Sequence, residues 1–260
     1  MTKINKNLKK IFLLISFFSL ITLSSCEKFS DFKNPFQKLS ESDKNISSEF
    51  LKEKIYQWNL DLSWLWLTQI PELSKYLTWT TADSITSISL AANKISDIDW
   101  EKFKNFLNLK ELNLAFNQIK NTDWIEKIPS KILSKLDLTK SWIEKIDWIP
   151  ELKTLNELFL SFNKIKNVEW LENLKNLNYL ELAHNQLTNI DNLSELNKVK
   201  TLKIEFNQIL NVDKILNNEK SKLEMFTMKF NKIDQKIVDA VEKNNQKVYK
   251  LRHPIDSEKK

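Results

Sequence analysis

Three segments of this chain repeat one frame at one spacing. Leu155-x-x-Leu158-x-Leu160-x-x-Asn163-x-Ile165 recurs from Leu177 to Leu187 and from Val199 to Ile209, 22 residues apart each time. One match to five fixed positions would be weak; three in phase leave little freedom. The inner pair of leucines has period two, so both side chains point to one face of a short strand. The Asn falls where the chain must leave the strand, and a turn stacked on its neighbours buries backbone groups that need partners. One copy cannot bury its leucines alone. Copies therefore stack, each touching only the next. What remains of each copy is long enough for a turn and a short return segment.

This frame resembles the leucine-rich repeat, in the 22-residue class found in bacterial internalins and in the regulatory subunit of eukaryotic protein phosphatase-1. The resemblance covers about residues 57–235. It implies an α/β solenoid with a parallel concave β-sheet, a short 3₁₀ or irregular convex side and helical caps at both ends. It also implies recognition of a protein by the concave face, without naming the partner. The Asn phase runs Asn93, Asn117, Ser141, Asn163, Asn185, Asn207 and Asn231, at spacings of 24, 24, 22, 22, 22 and 24. Apart from Ser141, these form the expected structural Asn ladder, and Ser141 can still make one turn bond. Leu60, Leu62, Leu65, Leu67 and Ile70 form a degraded first copy, which gives about eight repeats over 60–235. Ser47 or Ser48 is expected to cap a helix through Tyr56, within an N-terminal cap at 47–59. Ile237, Val238 and Val241 share a helical face in a C-terminal cap and tail at 236–260.

The N-terminus reads differently. Residues 1–26 hold Lys3, Lys6, Lys9 and Lys10, no acid, and an apolar run from Ile11 to Leu23. That is the layout of a secretory signal, too short for a comfortable membrane span. Leu23-Ser24-Ser25-Cys26 follows and resembles the bacterial lipobox. The resemblance implies a signal peptide at 1–25 and a lipid on Cys26, the only cysteine. Residues 26–46 then read as a tether. The formal charge of +6 falls to +2 without the signal (36 basic minus 34 acidic residues), which argues against a nucleic-acid partner.

Glycine is absent, where average usage gives roughly 18. Tryptophan is abundant, with nine residues. Seven residues beyond successive Asn-phase positions stand Trp100, Trp124, Trp148 and Trp170, then Asn192 and Lys214. A phase shared by Trp and Asn suggests a left-handed turn, where glycine and then Asn are favoured. Trp64 and Trp142 each follow a Ser just after a strand. Most of these tryptophans are therefore expected to be UGA codons that the source organism reads as glycine. The rival readings are an aromatic stripe along the return side and a ladder that binds glycan or membrane.

Catalytic chemistry is hard to place. His184 and His253 have no acid or Cys at metal-ligand spacing. No Ser sits on a nucleophile turn, and no phosphate loop exists without glycine. No enzyme, metal or cofactor is expected. His184 stands where other copies carry Phe116, Phe162, Phe206 and Phe230, which suggests a packing role. The outward positions of the strands remain. Candidate protein-binding residues are Glu111, Asn113, Lys135, Asp137, Glu157, Phe159, Tyr179, Glu181, Lys203 and Glu205. Phe159 and Tyr179 fall on adjacent strands, ringed by acids, and favour a basic or mixed-charge partner. The small third column, Ala91, Ala115, Thr139, Ser161 and Ala183, should let that partner approach the sheet. The expected function is a lipid-anchored, monomeric cell-envelope module that binds a protein, in adhesion or surface recognition. The alternatives are an envelope scaffold with no concave ligand and an intracellular phosphatase-regulator-like protein.

Overall fold

The computed structural model describes residues 46–120, 122–127, 132–146 and 152–252. The signal segment, Cys26, nearly all of the tether, Trp148 and His253 lie outside the described residues. Strands β1 (Ile55–Tyr56), β2 (Asn59–Asp61), β3 (Ser87–Ser89), β4 (Glu111–Asn113), β5 (Lys135–Asp137), β6 (Glu157–Phe159), β7 (Tyr179–Glu181), β8 (Thr201–Lys203) and β9 (Met225–Thr227) form one sheet in chain order. β1 and β2 are antiparallel; every later neighbour pair is parallel.

The register carries the fold. Leu60, Ile88, Leu112, Leu136, Leu158, Leu180, Leu202 and Phe226 pair directly across β2 to β9, and all are buried. The second leucine of each copy lies in the same interior: Leu160, Leu182 and Ile204 are fully buried. Period-two alternation thus gives one apolar wall running through the stack. A slip of one residue would turn the wall to solvent. The return segments supply the opposite wall through 3₁₀ turns at Trp100–Phe103, Asp123–Lys127, Glu169–Asn173 and Asp191–Glu195. In the next copy the same place is a short helix, Asp213–Leu216. Leu171, Leu193 and Ile215 project inward from them.

The Asn side chains stitch each turn to its neighbour. Asn185 Nδ2 donates to Leu160 O of the preceding copy at 2.9 Å and to Leu182 O of its own at 3.0 Å. Its Oδ1 accepts the Ile165 amide at 3.0 Å. The same three bonds recur at Asn117, Asn207 and Asn231. Asn93 and Asn163 make the same donations but accept two amides each. The Ser141 side chain keeps one cross-copy bond, from Oγ to Leu114 O at 3.1 Å.

Both ends are covered. Helix α1 (Ser48–Lys54) has Ser47 as N-cap, its hydroxyl accepting from Phe50 N at 3.1 Å. It stops at Lys54, short of the Tyr56 that the sequence suggested, because Ile55–Tyr56 pair with β2 and cover its open edge. Helices α2 (Leu73–Tyr76) and α3 (Trp79–Ser84) fill the longer loop before β3; helix α4 is Asp213–Leu216. At the other end lies α5 (Gln235–Arg252), burying Val238. Its Asn245 accepts from Phe226 N at 3.1 Å and donates back to Phe226 O. One side chain thereby satisfies both backbone groups on the exposed edge of β9.

Candidate functional site

The outward residues of the strands form two registered rows. Glu111, Lys135, Glu157, Tyr179, Thr201 and Met225 make the first; Asn113, Asp137, Phe159, Glu181, Lys203 and Thr227 make the second. The proposed residues Glu111, Asn113, Lys135, Asp137, Glu157, Phe159, Tyr179, Glu181 and Lys203 are therefore one surface, and Glu205 follows Lys203 just beyond β8.

At its centre the side chains form a rod. Phe159 and Tyr179 lie with ring centroids 5.0 Å apart, tilted by 32°. Lys135 Nζ sits 5.3 Å from the Phe159 ring centre, and Lys203 Nζ sits 5.2 Å from that of Tyr179. The order across four strands is cation, ring, ring, cation. Each cation also meets an acid: Lys135 with Glu157 at 3.3 Å, Lys203 with Glu181 at 3.7 Å. The Tyr179 hydroxyl donates to Glu181 Oε2 at 3.1 Å. Burial raises the Tyr179 hydroxyl's pKa, against the pull of Lys203. Burial would lower Lys203, yet the Tyr179 hydroxyl and Glu181 together hold it above the usual lysine value. The rings are thus held in place before any partner arrives, and partly exposed ion pairs such as these add little stability by themselves.

Two features differ from the sequence reading. Glu157 and Glu181 are already paired with the chain's own lysines, so they do not form a free acidic ring. Ala115, Ser161 and Ala183 are buried despite pointing outward, so the third column is no open floor. Three buried polar atoms on this face have no hydrogen-bond partner: Ser161 Oγ, Glu205 Oε2 and Thr227 Oγ1.

Beside that column runs a feature whose stacking the sequence did not declare. Phe162, His184, Phe206 and Phe230 stack ring on ring, with centroids 4.1, 4.0 and 4.2 Å apart and planes within 17°. Each is the residue before an Asn, with φ between 54° and 60°. A left-handed L-residue costs roughly 1–2 kcal/mol, and a stacked aromatic pair returns about 0.5–1.5 kcal/mol. The recurrence of an aromatic at that phase was the available signal. Burial between its neighbours holds His184 below the usual histidine value, against the pull of Glu205.

Among the described residues, no group of three or more His, Cys, Asp or Glu could hold a metal, and no helix is long and apolar enough to cross a membrane.

Family models for leucine-rich repeats match residues 83–140 and, as two copies, 153–195. With the parallel stack and the Asn bonds, this settles the architecture. The chain is a leucine-rich repeat solenoid. Internalin C2 from Listeria monocytogenes has a similar fold, with a TM-score of 0.54 and 26% identity, over 61% of this chain and 77% of that one. An internalin, inlF, from the same organism gives a TM-score of 0.48 at 19% identity, over 73% of this chain and 64% of that one. Curated proteins give no match.

Seven of the described tryptophans divide into two classes, and the other, Trp79, opens helix α3. Trp100, Trp124 and Trp170 lie in the 3₁₀ turns and none has positive φ, so the left-handed reading of that phase is wrong. Trp124 is 5% exposed and belongs to the core. Trp58, Trp64, Trp66 and Trp142, by contrast, have φ of 66°, 63°, 61° and 66°.

Proposed function

We propose that this solenoid is an exported, lipid-anchored, non-catalytic module of the cell envelope that binds a protein partner on its concave face, in adhesion or surface recognition. The observation that carries the binding half is the Lys135–Phe159–Tyr179–Lys203 rod. Ordering it in advance lowers the entropy lost on docking, and aromatic anchors at a patch centre dominate binding energies. The anchoring half rests on the basic start, the apolar run and Cys26.

The binding half is tested by affinity capture with the domain from residue 47 onward, alone and as Phe159→Ala/Tyr179→Ala. A partner held by the unchanged domain should be retained at least tenfold less by the double variant, whose unfolding midpoint stays close to the parent's. Equal retention would refute the binding site. For the anchoring half, Cys26→Ser should release the protein from the membrane fraction, and protease added to intact cells should remove the domain. Unchanged membrane partition, or full protection, would count against it.

A further inference from the structure

We infer that positions 58, 66 and 142 are glycine positions, occupied by glycine in the polypeptide that the source organism makes. Three backbone arrangements carry this, independently of the binding proposal.

The first is the hairpin that closes the N-terminal edge. Tyr56 pairs with Asn59, leaving Gln57 and Trp58 as a two-residue turn with φ of 48° and 66°. Positive φ at both central residues defines the type I′ turn, whose second position strongly prefers glycine. Trp58 fills it with an indole 58% exposed.

The second and third arise in the two copies that lack the ladder Asn, where Leu65 and Ser141 stand instead. Elsewhere the residue after the Asn (Lys94, Gln118, Lys164, Gln186, Gln208 or Lys232) has no positive φ. In these two copies it is Trp66 and Trp142, both left-handed. The twist has a purpose. It turns the amides on both sides of the tryptophan toward one oxygen of the next copy. Asn93 Oδ1 accepts from Leu65 N at 3.1 Å and Leu67 N at 3.0 Å. Asn163 Oδ1 accepts from Ser141 N and Ile143 N, both at 3.0 Å. A copy without its own Asn is thus held by a left-handed residue that clasps its neighbour's. Glycine adopts that conformation at no steric cost; a bulky residue is an outlier there. The ring stack that offsets the cost at Phe162 and Phe206 is built in a different column. Trp64 belongs to that aromatic column and is left out of the inference.

The chain has no glycine to place at any of these turns, and each holds tryptophan instead. A UGA codon decoded as glycine in the source organism but translated as tryptophan accounts for both facts. It also changes the surface. Lys94 rests over the Trp66 ring at 4.3 Å and Lys164 over Trp142 at 5.0 Å. With glycine beneath them, Lys94 loses that ring contact and Lys164 keeps its ion pair with Glu144 at 3.4 Å.

Peptide mass spectrometry of the protein purified from its source organism decides the matter. Peptides spanning 58, 66 and 142 should be lighter by the difference between a tryptophan and a glycine residue at each site. Tryptophan at these positions overturns the inference. A second measurement uses the tryptophan-containing chain. Trp58→Gly, Trp66→Gly and Trp142→Gly should each raise Tm by roughly 2–8 °C, and the Ala variants should raise it less. Trp124→Gly, in the core, should lower it. A fall in Tm for the three glycine variants, like that at position 124, would contradict the backbone argument.

Discussion

At the scale of the residue, the Asn of each turn shows how one side chain can specify a fold. Asn185 is buried with four backbone bonds, two of which reach the preceding copy. Asn185→Ala would orphan the Ile165 amide, at about 1–3 kcal/mol, and would remove one of the two donors to each of Leu160 O and Leu182 O, which keep Asn163 and Asn207, at about 1 kcal/mol per lost bond. We expect a loss of about 3 kcal/mol in urea unfolding, against less than about 0.5 kcal/mol for the exposed Lys166→Ala. His184 makes a separate prediction. Its folded pKa is lowered, because burial between Phe162 and Phe206 disfavours the charged ring. Neutral His184 is therefore the form the fold prefers. Its contribution is complete above pH 6.5 and is lost as pH falls through the lower folded value. A His184→Phe variant should lose less Tm than the parent between pH 7 and pH 5. Identical pH profiles would show that this ring is not the titrating group.

At the scale of the element, the strands were legible because a two-residue period inside a fixed frame admits one register. Leu158, Leu180 and Leu202 had to meet, and they do. The turns were legible for the same reason, since the Asn recurs where the strand ends. Other parts left no periodic trace. The clasp of Asn245 on Phe226 joins residues 19 positions apart in a segment with no repeat, so the pattern shows a helical face and no partner. Similarly, the pairing of Glu157 with Lys135 depends on side-chain reach across strands, which phase alone does not convey. The tryptophan phase was misread because a 3₁₀ turn and a left-handed turn both break the repeat in the same place. Asn245→Ala should leave Phe226 with two unsatisfied groups on an edge strand. We expect about 2 kcal/mol less stability and, by size-exclusion chromatography, a greater tendency to associate through the uncovered edge of β9.

At the scale of the whole molecule, neighbouring copies hold one another, and the surface they leave over is where recognition is assigned. A chain built this way has no central core to lose. Stability should follow the number of contacts between copies, so removing one copy in frame should shorten the stack without collapsing it. Residues 163–184 make one complete copy between equivalent points, and their deletion joins Phe162 to Asn185 with every leucine in phase. Deletion of 163–183 is one residue short and shifts the frame. Urea unfolding of the two shortened chains is the sharpest test of the account. The in-frame deletion should unfold in one cooperative transition with a smaller m-value than the parent, and the out-of-frame deletion should lose that cooperativity. Loss of cooperative folding in both, or its retention in both, would contradict a solenoid held together copy by copy.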